Sequence, residues 1–129
     1  MSTDPLVAAL TAALPGAMRT RDAAAVSAIR TALAAVANAE AVPVAADASP
    51  VVATSAHVAG ATAGLGAAEA RRRLLSGVEV RAIVEHEVAE RLDAAAALAD
   101  VPGGAEHAER LRGEAAALTR ILEAAPGTA

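Results

Sequence analysis

The 129-residue chain contains no Phe, Tyr or Trp, no Cys and no Lys. Each absence removes a kind of chemistry. Without cysteine there is no disulfide, no thiolate nucleophile and no Cys-based zinc site. Without aromatic rings there are no stacking platforms for single-stranded nucleic acid and no cages for quaternary ammonium groups. Without lysine there is neither a Schiff-base residue nor the lysine of a phosphate-binding loop.

What fills the chain is alanine. Residues counted as hydrophobic make up 55% of the sequence, but 41 of them are Ala and only 30 are Val, Leu, Ile or Met. A chain of this length is expected to form one domain, here spanning residues 1–129, and to bury about two thirds of its unfolded surface. Thin side chains can reach that burial only by bringing backbones close together, which predicts packed helices rather than a sandwich or a deep cavity.

The formal net charge of −4 gives no overall attraction to nucleic acid or to an anionic membrane. Any phosphate binding must therefore be local. The opening Met1-Ser-Thr-Asp-Pro lacks a basic region before an apolar run and does not read as a signal peptide. Residues 48–68 carry no Asp, Glu, Lys or Arg, but they are mostly Ala, Gly, Thr and Ser, too weakly apolar for a membrane span. A cytoplasmic location with no membrane partner is the expectation.

Local signals divide the chain into helices. Thr3 or Asp4 ahead of Pro5 is a helix start, predicting a helix over 5–20 with the stripe Val7, Leu10, Leu14 and Met18. Pro15-Gly16 predicts a kink or early break within it. Asp22 can cap a second helix over 23–40, with Val26, Ile29, Leu33 and Val36 as its stripe. From 41 to 66 the periodicity fails, and Pro43, Pro50, Gly60, Gly64 and Gly66 predict a long flexible linker. Residues 67–75 read equally as a short helix or an extended lead-in.

Ser76-Gly-Val-Glu79 fits a capping box and predicts a helix over 77–100. Its stripe is Val80, Val84, Val88 and Leu92 beside Ile83 and Ala95, with Arg81/Glu85 and Glu87/Arg91 pairing on the solvent side. Pro102-Gly103-Gly104 ends that helix. A last one over 105–124 carries Ala108, Leu111, Ala115, Leu118 and Leu122. Two such helices, each about 30 Å long and joined by a short turn, make an antiparallel hairpin. The expected fold class is all-α, a small bundle of about four helices.

Few residues suggest chemistry. His86-Glu87-Val-Ala-Glu90 lacks the second His of the zinc-protease helix, and His57 and His107 stand apart, so no metal site is expected. Gly60-Ala-Thr-Ala-Gly64-Leu-Gly66 lacks the lysine and the preceding strand of a phosphate loop. Glu85, Glu87, Glu90, Glu106, Glu109 and Glu114 lie among arginines at helical spacing, a solvated face rather than an acid/base pair. No catalytic residue and no cofactor is expected. Arg71-Arg72-Arg73 is the densest positive patch, and Arg19, Arg21 and Arg30 form a second cluster. Both can grip phosphate; a solubilising role or contacts to acidic helix ends are the alternatives.

One resemblance joins these pieces. Ala-Val-Ser-Ala-Ile-Arg30-Thr-Ala-Leu-Ala-Ala-Val-Ala-Asn38-Ala-Glu40 resembles the first signature of the GatB/YqeY family, a helix with an Arg, a run of small and apolar residues, then Asn-x-Glu. Leu75-Ser76-Gly-Val-Glu79 through Glu87-Val-Ala-Glu-Arg91 is similar to the family's capped acidic helix. Gly104-Ala-Glu-His-Ala-Glu-Arg-Leu-Arg-Gly-Glu114 is similar to its next helix. The resemblance covers most of the chain outside 41–66, in a short form without the family's C-terminal subdomain. It marks Arg30, Asn38, Glu40, Glu87, Arg91 and Glu114 as motif residues.

What the resemblance implies is an all-helical domain related to the tail of the B subunit of the tRNA-dependent amidotransferase, which helps hold tRNA. The function expected is a non-catalytic module binding tRNA or a translation-related protein. A protein-binding or self-associating module, including a homo-oligomer, is the alternative. Carbon–nitrogen ligase activity with glutamine as amide donor, which the family label carries, ranks third because the chain has no Cys nucleophile, no Ser-cis-Ser-Lys arrangement and no ATP loop.

Overall fold

The structure, a computed structural model, describes residues 4–41 and 74–125. These residues form four helices and no strand: α1 (Pro5–Arg19), α2 (Ala23–Ala41), α3 (Gly77–Leu98) and α4 (Ala105–Ala124). The fold is the expected all-α bundle. The linker expected beyond Ala41 and the Arg71-Arg72-Arg73 patch lie outside the described residues. One compact unit comprises Met1–Val36 with Ser76–Ala129, and the core belongs to it; of Ala37–Leu75 the described residues are the last turn of α2 together with Leu74 and Leu75.

The helix starts are those the local chemistry demands. Asp4 Oδ1 accepts from the Leu6 and Val7 amides at 2.8 and 3.4 Å, with Pro5 in the first turn. Asp22 Oδ1 accepts from the Ala25 amide at 3.1 Å. Ser76 Oγ accepts from the Glu79 amide at 3.1 Å while Glu79 Oε1 accepts from the Ser76 amide at 2.8 Å, a complete capping box. Each such cap stabilises its helix by about 1 kcal/mol.

Pro15 does not break α1, which continues to Arg19. The proline sits on the exposed side, where a carbonyl deprived of its helical donor can turn to water. The buried faces also differ from the expected stripes. In α1 the buried residues are Leu6 and Leu10, whereas Val7 and Leu14 are half-buried and Met18 is 50% exposed. In α2 they are Ala25, Ala28, Ile29, Ala32 and Val36, with Val26 and Leu33 only half-buried. The cause is the alanine content. Seven of the fifteen buried apolar residues are Ala, so small residues share the buried faces with large ones and the spacing of Val and Leu alone does not mark the inside.

α3 and α4 pack as an antiparallel hairpin: Arg81 on α3 reaches the Leu122 carbonyl at 2.9 Å, and Arg91, ten residues on, reaches Glu114, eight residues back. α3 ends at Leu98, two residues before expected. Gly103 has φ +79°, and a side chain on Gly104 would place Cβ 2.6 Å from the Leu98 carbonyl oxygen. This turn needs both glycines, one for its conformation and one for its closeness. Leu10, Ile29, Val80, Val84 and Leu118 are the largest fully buried side chains. On the far side of α4, Gly113 lies against Ala24 of α2.

Candidate functional site

The turn between α1 and α2 brings the Arg19, Arg21 and Arg30 cluster to one corner of the unit. The Asp22 amide donates to the Ala17 carbonyl at 3.0 Å and the Arg21 amide to the Met18 carbonyl at 3.2 Å. This is a Schellman ending, whose residue after the cap is usually glycine because it must be left-handed. Here that residue is Arg21, at φ 58°. A left-handed arginine costs about 1–2 kcal/mol.

The strained turn directs Arg21 toward a shallow, open depression, where it is joined by Met18, Ala23, Val26, Ser27, Arg30 and Thr31. An Arg30 Nη2 proton points at Met18 Sδ, 4.0 Å away. The site is thus two guanidiniums beside an apolar floor with hydroxyls at its edge. Arg19 lies near but does not line it; its guanidinium folds back to within 3.7 Å of where a Gly16 side chain would begin. Arg19, Arg21 and Arg30 are exposed and form no ion pair among the described residues, in contrast to Arg81, Arg91 and Arg112. Arg110 and Arg120 are also exposed without an ion pair, but separately on α4.

Three other motif residues meet inside the hairpin. Arg91 Nε donates to Glu114 Oε1 at 2.7 Å, and its Nη1 donates to Glu87 Oε1 at 2.8 Å and to the Glu87 carbonyl at 3.0 Å. Glu114 is 9% exposed, and the Arg91 and Glu87 side chains are 11% and 15% exposed. The expected solvent-side pairing of Glu87 with Arg91 is therefore corrected: both belong to the seam with α4. Glu114, expected on a solvated face, is the most buried charged residue described. Burial lowers the affinity of Arg91 for its proton, but the hydrogen bonds and charges of Glu87 and Glu114 outweigh it and hold the guanidinium above the ordinary arginine range.

A signal for this triad lies in the spacing, since Val80, Val84, Glu87, Arg91 and Ala95 follow one another at intervals of four and three. The identity of the third partner is nonlocal. Asn38 is exposed and Glu40 half-buried in the last turn of α2, so these two motif residues are not part of the triad. His86 pairs with Glu90 at 3.3 Å on the exposed side of α3. Among the described residues no group of three or more His, Asp or Glu could hold a metal ion, and no helix is long and apolar enough to cross a membrane.

No family model, no curated protein and no solved structure matches the chain. The GatB/YqeY resemblance rests on the motifs quoted above.

Proposed function

We propose that this chain is a non-catalytic helical module of the GatB/YqeY kind that binds tRNA, or a translation-related partner presenting RNA, through Arg21 and Arg30 with Arg19 at the margin. The observation that carries the reading is the division of labour among the arginines. Arg81, Arg91 and Arg112 are engaged with carboxylates, whereas Arg21 and Arg30 share an open depression and have no counter-ion among the described residues. The triad accounts for Glu87, Arg91 and Glu114 as residues that hold the hairpin, and leaves Arg30 and Asn38 as exposed motif residues, of which Arg30 carries the charge. A cytoplasmic setting is part of the same proposal.

Two arginines give affinity without sequence readout, because contacts to phosphate position a nucleic acid but do not read its bases. Electrophoretic titration with bulk tRNA across a salt series tests the proposal. Each phosphate contact contributes about 0.7–0.9 to the slope of log K against log salt, so Arg21→Ala with Arg30→Ala is expected to reduce that slope by about 1.4–1.8. Low-salt binding no tighter than that of an acidic control helix bundle would overturn it.

A further inference from the structure

The depression at the α1–α2 turn combines two chemistries, and phosphate contact uses only one of them. Arg21 and Arg30 serve an anion, but Met18, Ala23 and Val26 line the same depression, with Ser27 and Thr31 beside them. The outside of an RNA duplex offers phosphates and ribose hydroxyls and keeps the flat faces of its bases stacked away; an unpaired nucleotide presents such a face. Met18 is 50% exposed, and a thioether packs favourably against an aromatic ring. The chain has no aromatic residue of its own, so any ring on that sulfur comes from a binding partner.

The two chemistries lie at the scale of one nucleotide, in which a sugar alone separates phosphate from base. Arg30 Nη2 approaches Met18 Sδ at 4.0 Å, setting charge directly beside apolar surface. Asp22, the carboxylate of the same turn, accepts from the Ala25 amide at 3.1 Å and does not line the depression. Thr31 Oγ1 donates its proton to the Ser27 carbonyl at 2.8 Å and keeps its lone pairs for a ribose hydroxyl. The volume, about 640 Å³, suits one small ligand. A longer single strand would need a row of aromatic platforms, which this chain lacks.

We infer that the depression takes one unpaired nucleotide of the RNA, its phosphate on Arg21 and Arg30 and its base on Met18 and Val26. The inference rests on the RNA reading above and adds which part of the RNA is bound and which uncharged residue selects it.

The probes are two short RNA duplexes of equal nucleotide number, titrated with the full chain. One is extended by a terminal base pair, and the other carries the same two nucleotides as an unpaired 3′ overhang. Matched phosphate number keeps their electrostatic contributions close, so a difference in Kd reports the base. The overhang duplex is expected to bind about three- to tenfold more tightly. Met18→Ser is expected to remove that preference with salt slope and helix content unchanged, and Met18→Leu to retain most of it. Arg21→Ala with Arg30→Ala should instead lower the salt slope for both duplexes. Equal affinity for the two duplexes, or a preference that survives Met18→Ser, would overturn the inference and leave tRNA binding through the arginines in place. Failure of tRNA and both duplexes to bind at low salt would remove the RNA reading itself, and the inference with it.

Discussion

Arg21 is where structure and proposed function pull against each other. Its left-handed backbone closes the Schellman turn, a task for which glycine is better suited, yet its side chain is one of two cations at the depression. Arg21→Gly relieves about 1–2 kcal/mol of strain and adds about 0.5–1 kcal/mol of unfolded-state entropy. The net expectation is a gain of about 0.5–1 kcal/mol in chemical denaturation, accompanied by weaker tRNA binding. A glycine variant that is no more stable than the parent would show that the turn is not strained.

At the scale of elements, the hairpin is held in register by charge. The inner faces of α3 and α4 are largely small and aliphatic, and such faces can slide by a turn at little cost. The Glu87–Arg91–Glu114 triad cannot, because a shift would strand charges in the seam. Arg91→Ala leaves two carboxylates facing each other at low exposure and is expected to destabilise the fold by about 3 kcal/mol, measured by urea unfolding. A raised pKa means that the stabilisation is fully present below the ordinary arginine range and is lost only as pH rises through the folded value. The difference between parent and variant should therefore stay level from neutral pH to about pH 10. A difference that shrinks across that interval would contradict the assignment.

Helix starts were legible in the sequence because a cap is a local event: Asp4, Asp22 and the Ser76/Glu79 box each act within three residues. The buried faces of α1 and α2 were not. When Ala serves as both core and surface residue, the spacing of Val and Leu no longer marks the inside, and Leu6 and Ala28 take places expected of Val7 and Val26. The triad was half legible, since the Glu87–Arg91 spacing is visible but Glu114 enters from 23 residues away. At the basic corner the cluster was legible as charge alone. Which two of its three arginines share a depression depends on the turn at Thr20–Asp22.

For the whole molecule, charge is unevenly placed: exposed arginines gather at the α1–α2 turn, whereas the charges along α3 are largely paired within the helix or with α4. The alanine-lined interior has a thermal consequence of its own. Heat capacity of unfolding follows the apolar surface newly exposed to water, ordinarily about 12–15 cal/mol/K per residue. A core in which seven of fifteen buried apolar side chains are single methyl groups exposes less of it. Calorimetry should find a value below that range, and with it a stability curve that is broad and shallow, changing little between cold and warm conditions and bending late toward cold unfolding.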